Sequence, residues 1–298
     1  MSCSAFGVSA ECDESDRGSG RRRLLAVHAH PDDEVITTGG LLARCADGGI
    51  DTCLVSCTDG RYGPVNPDLR LTLTPDELAE ARAEELEAAT KILAVGQVRQ
   101  LGYHDSGMTG SPRNLEPWAF WAQKADDLVA AFVLILRDFR PHVVVTYDPF
   151  GCTGHPDHIQ AHRATVLAVE AAAEQNAFPH AGRPWQVAAL FYPVYPRSAL
   201  RRFIEEEAHA GRPNPFGGKT ADEVNYMRSD QSVTHLVDIR SVYQRKRDAL
   251  HAYPTQVGPH HPALYGAALA RSEHEHFRLA FRRRPGPRFD DILEPLRQ

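Results

Sequence analysis

Two short segments carry residue types that together could do metal-assisted hydrolysis. "AHPDDE" at positions 29–34 brings His30, Asp32 and Asp33 close together, and "GHPDH" at 154–158 does the same for His155, Asp157 and His158. Neutral imidazole and carboxylate suit zinc, and a catalytic zinc keeps three protein ligands with one position open to water or substrate. His30, Asp33 and His158 would make such a set. Asp32 would then be a spare carboxylate beside the ion, placed to take a proton from water. His155 precedes His158 by three residues, so both share one face of a helical first turn and could aim at the same cavity. Asp157 would fix the tautomer of His155 or favour its charged form.

Each segment alone has a plainer reading, since aspartate at a helix start often does no more than cap the first amides. Two histidine-acid clusters, each behind an apolar run, are hard to explain by capping alone. Those runs, "RLLAVHAH" and "PHVVVTY", read as buried strands. In an open parallel sheet, ligands bind outside the carboxyl ends of the strands, which is where both segments fall. Between them the text alternates. "GGLLARCADGG" reads as a helix and "IDTCLVSCT" as a strand. "TPDELAEARAEELEAATKIL" is a helix with an N-cap threonine, Pro75 at its first position and Glu77 closing a capping box. "VRQLGY" is a strand, "PWAFWAQKADDLVAAFVLILRDF" a helix, and the second histidine segment opens another helix.

This order predicts an α/β fold with a Rossmann-like, mostly parallel sheet flanked by helices and the metal site at the C-terminal strand ends. Residues 1–22 are expected as a disordered tail, 23–184 as the catalytic core, and 185–298 as a smaller α/β extension completing the substrate pocket. In that extension "WQVAALFYPVY" and "THLVDI" read as strands, "SVYQRKRDALHAY" as an amphipathic helix, "RPNPFGG" as a loop and "RRRPGPRFDDILEP" as a basic, proline-rich tail. His274 and His276 are expected in a surface loop or terminal helix, as are His260 and His261, and His162 as a neighbour of His158.

A chain of 298 residues with 42% hydrophobic content can bury a large core without staples. Its net charge of -6 argues against a nucleic-acid surface and for a small-molecule partner. The six cysteines form no CxxC pair, and no apolar stretch has the length of a signal peptide core or a membrane span. A soluble, cytoplasmic protein is expected, and homo-oligomerisation is left open. The absence of GxGxxG and GxSxG removes the dinucleotide and serine-nucleophile readings.

The residues resemble the zinc-dependent LmbE-like or PIG-L de-N-acetylases, whose signatures are an HPDDE strand end and an HPDH helix start. The likeness extends through "RPHVVVTYDP", "LGYHDSGM" and "KRDALHAYPTQ", so from about Arg23 onward, and is closest to the mycothiol branch. It implies that His30, Asp33 and His158 hold Zn2+, with Fe2+ or Co2+ as substitutes, and that Asp32 is the general base. It also implies that His155 stabilises the oxyanion or protonates the leaving amine, that Asp157 supports it, and that Arg82 and Asp105 hold sugar hydroxyls. The implied activity is removal of an N-acetyl group from an amino sugar, a GlcNAc-inositol-like glycoside foremost. Alternatives are a mycothiol S-conjugate amidase, a deacetylase tailoring an antibiotic amino sugar and, from another class, a non-catalytic zinc-dependent sugar-binding protein. Two positions depart from the branch: Thr153 stands where the deacetylases carry a tyrosine, and Thr37 near where the amidases carry a lysine.

Overall fold

In the computed structural model, which describes residues 22–214, 216–258, 273–283 and 292, the first apolar run forms strand β1 (Arg23–His28). Helix α1 (Asp33–Asp47) carries the chain to β2 (Asp51–Thr58), which pairs with β1 in parallel. Helix α2 (Pro75–Leu93) starts on the Thr74–Glu77 capping box and leads to β3 (Gln97–Tyr103). Helix α3 (Ala125–Phe139) leads to β4 (Val143–Val145), a single turn α4 (Gly151–Gly154) and the long helix α5 (Pro156–Ala173). Then come β5 (Ala189–Pro193), α6 (Arg197–His209), β6 (His235–Asp238), α7 (Tyr243–His251) and β7 (His274–Arg282).

The sheet order is β3-β2-β1-β4-β5-β7-β6. Strands β3, β2, β1, β4 and β5 run parallel, and β7 lies antiparallel between β5 and β6. This is the expected mostly parallel sheet, and both of its faces are covered. Leu24 and Ala26 of β1 pack toward α1, α2 and α7, while Leu25 and Val27 pack toward α3 and α5. Burial on both faces explains why these strands read as unbroken apolar runs without alternation.

Several boundaries differ from expectation for physical reasons. Helix α1 begins at Asp33, six residues before the expected Gly39, and the glycine pair lies inside it. A Cβ on Gly40 would collide with the side chain of Ile239, so this glycine marks where α1 touches the C-terminal segment, with no helix end there. Helix α3 starts at Ala125, because Pro117 to Lys124 form loop and a short 3-10 turn. Helix α6 was not expected: only Leu200, Phe203 and Glu207 of it are buried, and no side chain caps its start.

His274 and His276 belong to β7, which corrects the surface-loop or terminal-helix expectation. The strand's alternation is disguised because its inward residues include Glu275, whose carboxylate meets the buried Lys246 ammonium at 2.6 Å and accepts the amides of Gly40 and Leu41. The expected N-terminal tail, His260, His261 and most of the C-terminal tail lie outside the described residues.

Candidate active site

Strand order reverses between β1 and β4, the switch point at which open α/β sheets form a crevice. Leu24 pairs with Val143 there, so the segment leaving β1 and the segment following β4 emerge side by side. That adjacency joins residues more than 120 positions apart. His30 Nδ1 lies 3.2 Å from His158 Nε2, and Asp33 Oδ2 lies 3.3 Å from each of those nitrogens. A tetrahedral ion with bonds of about 2.0–2.2 Å spaces its ligand atoms about 3.3–3.5 Å apart, so this trio fits one divalent ion. Two overlapping groups, His30 with His155 and His158, and His30 with Asp105, His155 and Asp157, also keep their ligand atoms within 4.8 Å of one another, a wider spacing than that of the trio.

The partners of the trio orient its lone pairs inward. His30 Nε2 faces Asp157 Oδ2 at 3.2 Å, and His158 Nδ1 faces the Gly151 carbonyl at 3.1 Å. With protons on those outer nitrogens, His30 Nδ1 and His158 Nε2 are free to ligate. Asp33 Oδ2 accepts the Tyr147 hydroxyl at 2.7 Å and the His30 amide at 3.0 Å, and the Tyr147 ring stacks on His158 with centroids 4.2 Å apart. Burial alone would lower the pKa of His30, yet the carboxylates of Asp105, Asp157 and Asp33 raise it well above its ordinary value. A field that draws a proton to that ring also draws a metal cation.

Asp157 is fully buried, and its carboxylate serves His30, where the expectation was His155. His155 Nδ1 lies 3.9 Å from Asp157 Oδ2, and instead accepts the Asp157 amide at 3.2 Å as the N-cap of α5. The backbone thus sets the tautomer: Nδ1 is an acceptor, so the proton sits on Nε2, 4.0 Å from Asp105 Oδ1. Burial, then the neighbouring His30 and His158, push the His155 pKa down to about 2, so its ring is neutral.

Asp32 sits at the turn into α1 with φ 103, a backbone conformation costing about 1–3 kcal/mol for a residue with a side chain. Two buried groups hold it there. Its amide donates to Glu34 Oε2 at 3.0 Å, and its carboxylate meets Arg82 Nη2 at 3.1 Å. Burial raises its carboxyl to about 6 against the opposing pull of Arg82. Arg82 was expected at sugar hydroxyls. Here its guanidinium already serves Asp32, the Pro31 carbonyl and the Gly60 carbonyl, while still lining the cleft. Asp105 accepts the Gly107 amide at 2.7 Å and stands 3.7 Å from His30 Nε2. The cleft has a volume of about 220 Å³, and Asp32, Arg82, Asp105 and all three histidines line it.

Sequence reasoning missed four supports. Tyr147 ends the fourth apolar run, where a buried tyrosine needs a hydroxyl partner, and that was the available signal. Ser106, beside the expected Asp105, donates its amide to Asp157 Oδ2 at 2.9 Å and its hydroxyl to Oδ1. Glu34 accepts the Tyr253 hydroxyl at 2.6 Å, and burial raises its carboxyl to about 8. Neither the Glu34–Tyr253 contact nor the Ser106–Asp157 contact leaves a local pattern. Ser106→Ala removes a donor that orients Asp157, and hence His30, so we expect metal affinity to fall about 10–100-fold with the fold intact. Titration of the apoprotein with zinc against a competing chelator measures this.

A family model described as PIG-L, GlcNAc-PI de-N-acetylase, matches residues 25–169. A 1D-myo-inositol 2-acetamido-2-deoxy-alpha-D-glucopyranoside deacetylase of Geodermatophilus obscurus is 44% identical over 244 residues, covering 79% of this chain and 83% of the relative. The chain belongs to the PIG-L family. A second deacetylase of that name, from Rhodococcus erythropolis, is 43% identical over 274 residues, covering 87% of this family member and 91% of the relative. Among solved structures, an N,N'-diacetylchitobiose deacetylase from Pyrococcus horikoshii shares the fold with a TM-score of 0.62 at 18% identity, over 87% of this chain and 83% of that one. A 4-carboxy-2-hydroxymuconate hydratase from Pseudomonas putida does so at 0.61 and 19%, over 89% and 99%. Since one fold hosts a hydratase and deacetylases alike, the chemistry of this PIG-L protein has to be argued from its site. No helix among the described residues is long and apolar enough to cross a membrane.

Proposed function

We propose that this protein hydrolyses the N-acetyl group of a 2-acetamido-2-deoxyglucopyranoside, with a GlcNAc-inositol glycoside as the foremost substrate. The observation that carries the reading is the trio of His30, Asp33 and His158 at one-ion spacing, with Asp32 left over in the same cleft. These three residues would hold the ion, zinc in our reading, which when bound supplies Lewis-acid polarisation and acidifies water. The relatives' names support the substrate class.

Asp32 takes the proton from the attacking water. Arg82 and the Glu34–Tyr253 pair hold its carboxylate and backbone in place for that step. His155 donates its Nε2 proton in a hydrogen bond to the amide oxygen as negative charge builds there, an interaction worth about 10²–10³-fold in kcat. The proton held by Asp32 is the one the departing amine needs, so the carboxyl returns to its starting state when acetate and the free amino sugar leave. Residues 185–298 complete the pocket in this reading, with Gln256 lining the cleft and Tyr253 bracing Glu34. A cytoplasmic setting, in which thiols stay reduced, belongs to this reading, and Cys53, Cys57 and Cys152 are buried.

Primary-amine release from GlcNAc-inositol, GlcNAc and a mycothiol S-conjugate by the metal-reconstituted protein tests the proposal. We expect the highest kcat/KM on GlcNAc-inositol. Cleavage of the S-conjugate alone would replace the reading with an amidase, and sugar binding without acetate release would make the chain a binding protein.

A further inference from the structure

We infer that Tyr62 is the platform on which the aglycone rests, and that this ring sets the preference for the inositol glycoside; this rests on the deacetylase reading above. The cleft, about 220 Å³, is smaller than the roughly 300–1,000 Å³ of sites that bury a whole ligand. The reacting acetamido end has to reach the trio, so the group on the far side of the glycosidic bond falls toward the rim. Tyr62 and Met108 supply that rim from two different strand-end loops, and Met108 is 62% exposed.

The Tyr62 ring is held before any substrate arrives. Its amide donates to Asp105 Oδ2 at 3.4 Å, tying its loop to a residue beside His30. A Cβ on Gly60 or Gly63 would strike the Arg82 guanidinium, so the turn carrying Tyr62 rests directly on that buried group. From the other loop, the Arg113 guanidinium lies 3.8 Å from the Tyr62 ring centroid, and Glu116 Oε2 accepts its hydroxyl at 3.5 Å. With one ring face covered by a cation, the remaining surface suits polarised C–H groups. Charged Glu116, at the ring's hydroxyl end, suits hydroxyls. The inositol ring of the proposed substrate presents both C–H groups and hydroxyls, whereas an alkyl chain presents no hydroxyl to Glu116.

The test compares kcat and KM of wild type, Tyr62→Leu and Tyr62→Phe on GlcNAc-inositol, free GlcNAc and an octyl N-acetylglucosaminide. We expect wild type to prefer the inositol glycoside. Tyr62→Leu should cut that preference about tenfold, through KM with kcat held, because the contact is made equally in ground and transition states. Tyr62→Phe keeps the ring and should keep the preference. An equal loss on all three substrates, a loss confined to kcat, an unaltered preference in Tyr62→Leu, or a wild-type preference for the octyl glycoside overturns the inference while leaving the deacetylase reading standing. Absence of amine release by wild type from every substrate overturns both.

Discussion

Asp32→Asn should bind zinc as tightly as wild type and lose about 10²–10⁴-fold in kcat, the range a positioned general base contributes. Asparagine is the informative replacement because the position needs φ 103, and asparagine tolerates positive φ as aspartate does. It keeps the shape and a hydrogen-bond acceptor for Arg82 and loses only the basicity. The carboxylate stands outside the His30, Asp33 and His158 trio, and Arg82 Nη2 anchors it at 3.1 Å. Metal content by elemental analysis, read beside kcat, checks both halves of the expectation. Lost metal would move Asp32 into the ligand set, and retained turnover would place the base elsewhere.

His158→Ala should lose metal and turnover together, with metal affinity falling by more than the roughly 10–100-fold expected of a supporting residue. His158 Nε2 stands 3.2 Å from His30 Nδ1 and 3.3 Å from Asp33 Oδ2, so its removal opens one corner of the trio. It also strips the Tyr147 ring of its stacking partner, 4.2 Å away, beside an Asp33 carboxylate that Tyr147 still holds. A ligand that binds only the folded state raises the unfolding temperature, and by more the further its concentration exceeds its Kd. Thermal unfolding with and without added zinc therefore separates the cases: wild type should shift upward and His158→Ala should not. An equal shift in both would show that the ion is held elsewhere.

The residues that meet in the cleft were legible because they are chemically conspicuous. Paired His-Pro-Asp segments behind apolar runs announce strand ends, and the capping box at Thr74 announces a helix through purely local hydrogen bonds. The supports were not legible for the opposite reason. Ser106 and Asp157 are 51 residues apart, Tyr253 and Glu34 are 219 apart, and each pair makes sense only after the sheet has assembled. Helix α6 and strand β7 were missed where burial is sparse or where a buried carboxylate interrupts the apolar alternation.

By itself, then, the sequence determined the fold class and the reaction type, and it singled out the residues that we propose as metal ligands and base. Composition, hydrophobic period and side-chain chemistry are local properties, and the order of residues along the chain records them. Tertiary structure alone decided which partner each of those residues has. It gave Asp157 to His30 and left His155 to a backbone amide, it set Arg82 beside Asp32, and it laid Tyr62 under Arg113 at the cleft mouth. The physical reason is that hydrogen bonds and ion pairs of this kind depend on distances of a few ångströms between loops. Those distances follow from the pairing of β1 with β4 and from the packing of the C-terminal segment against α1.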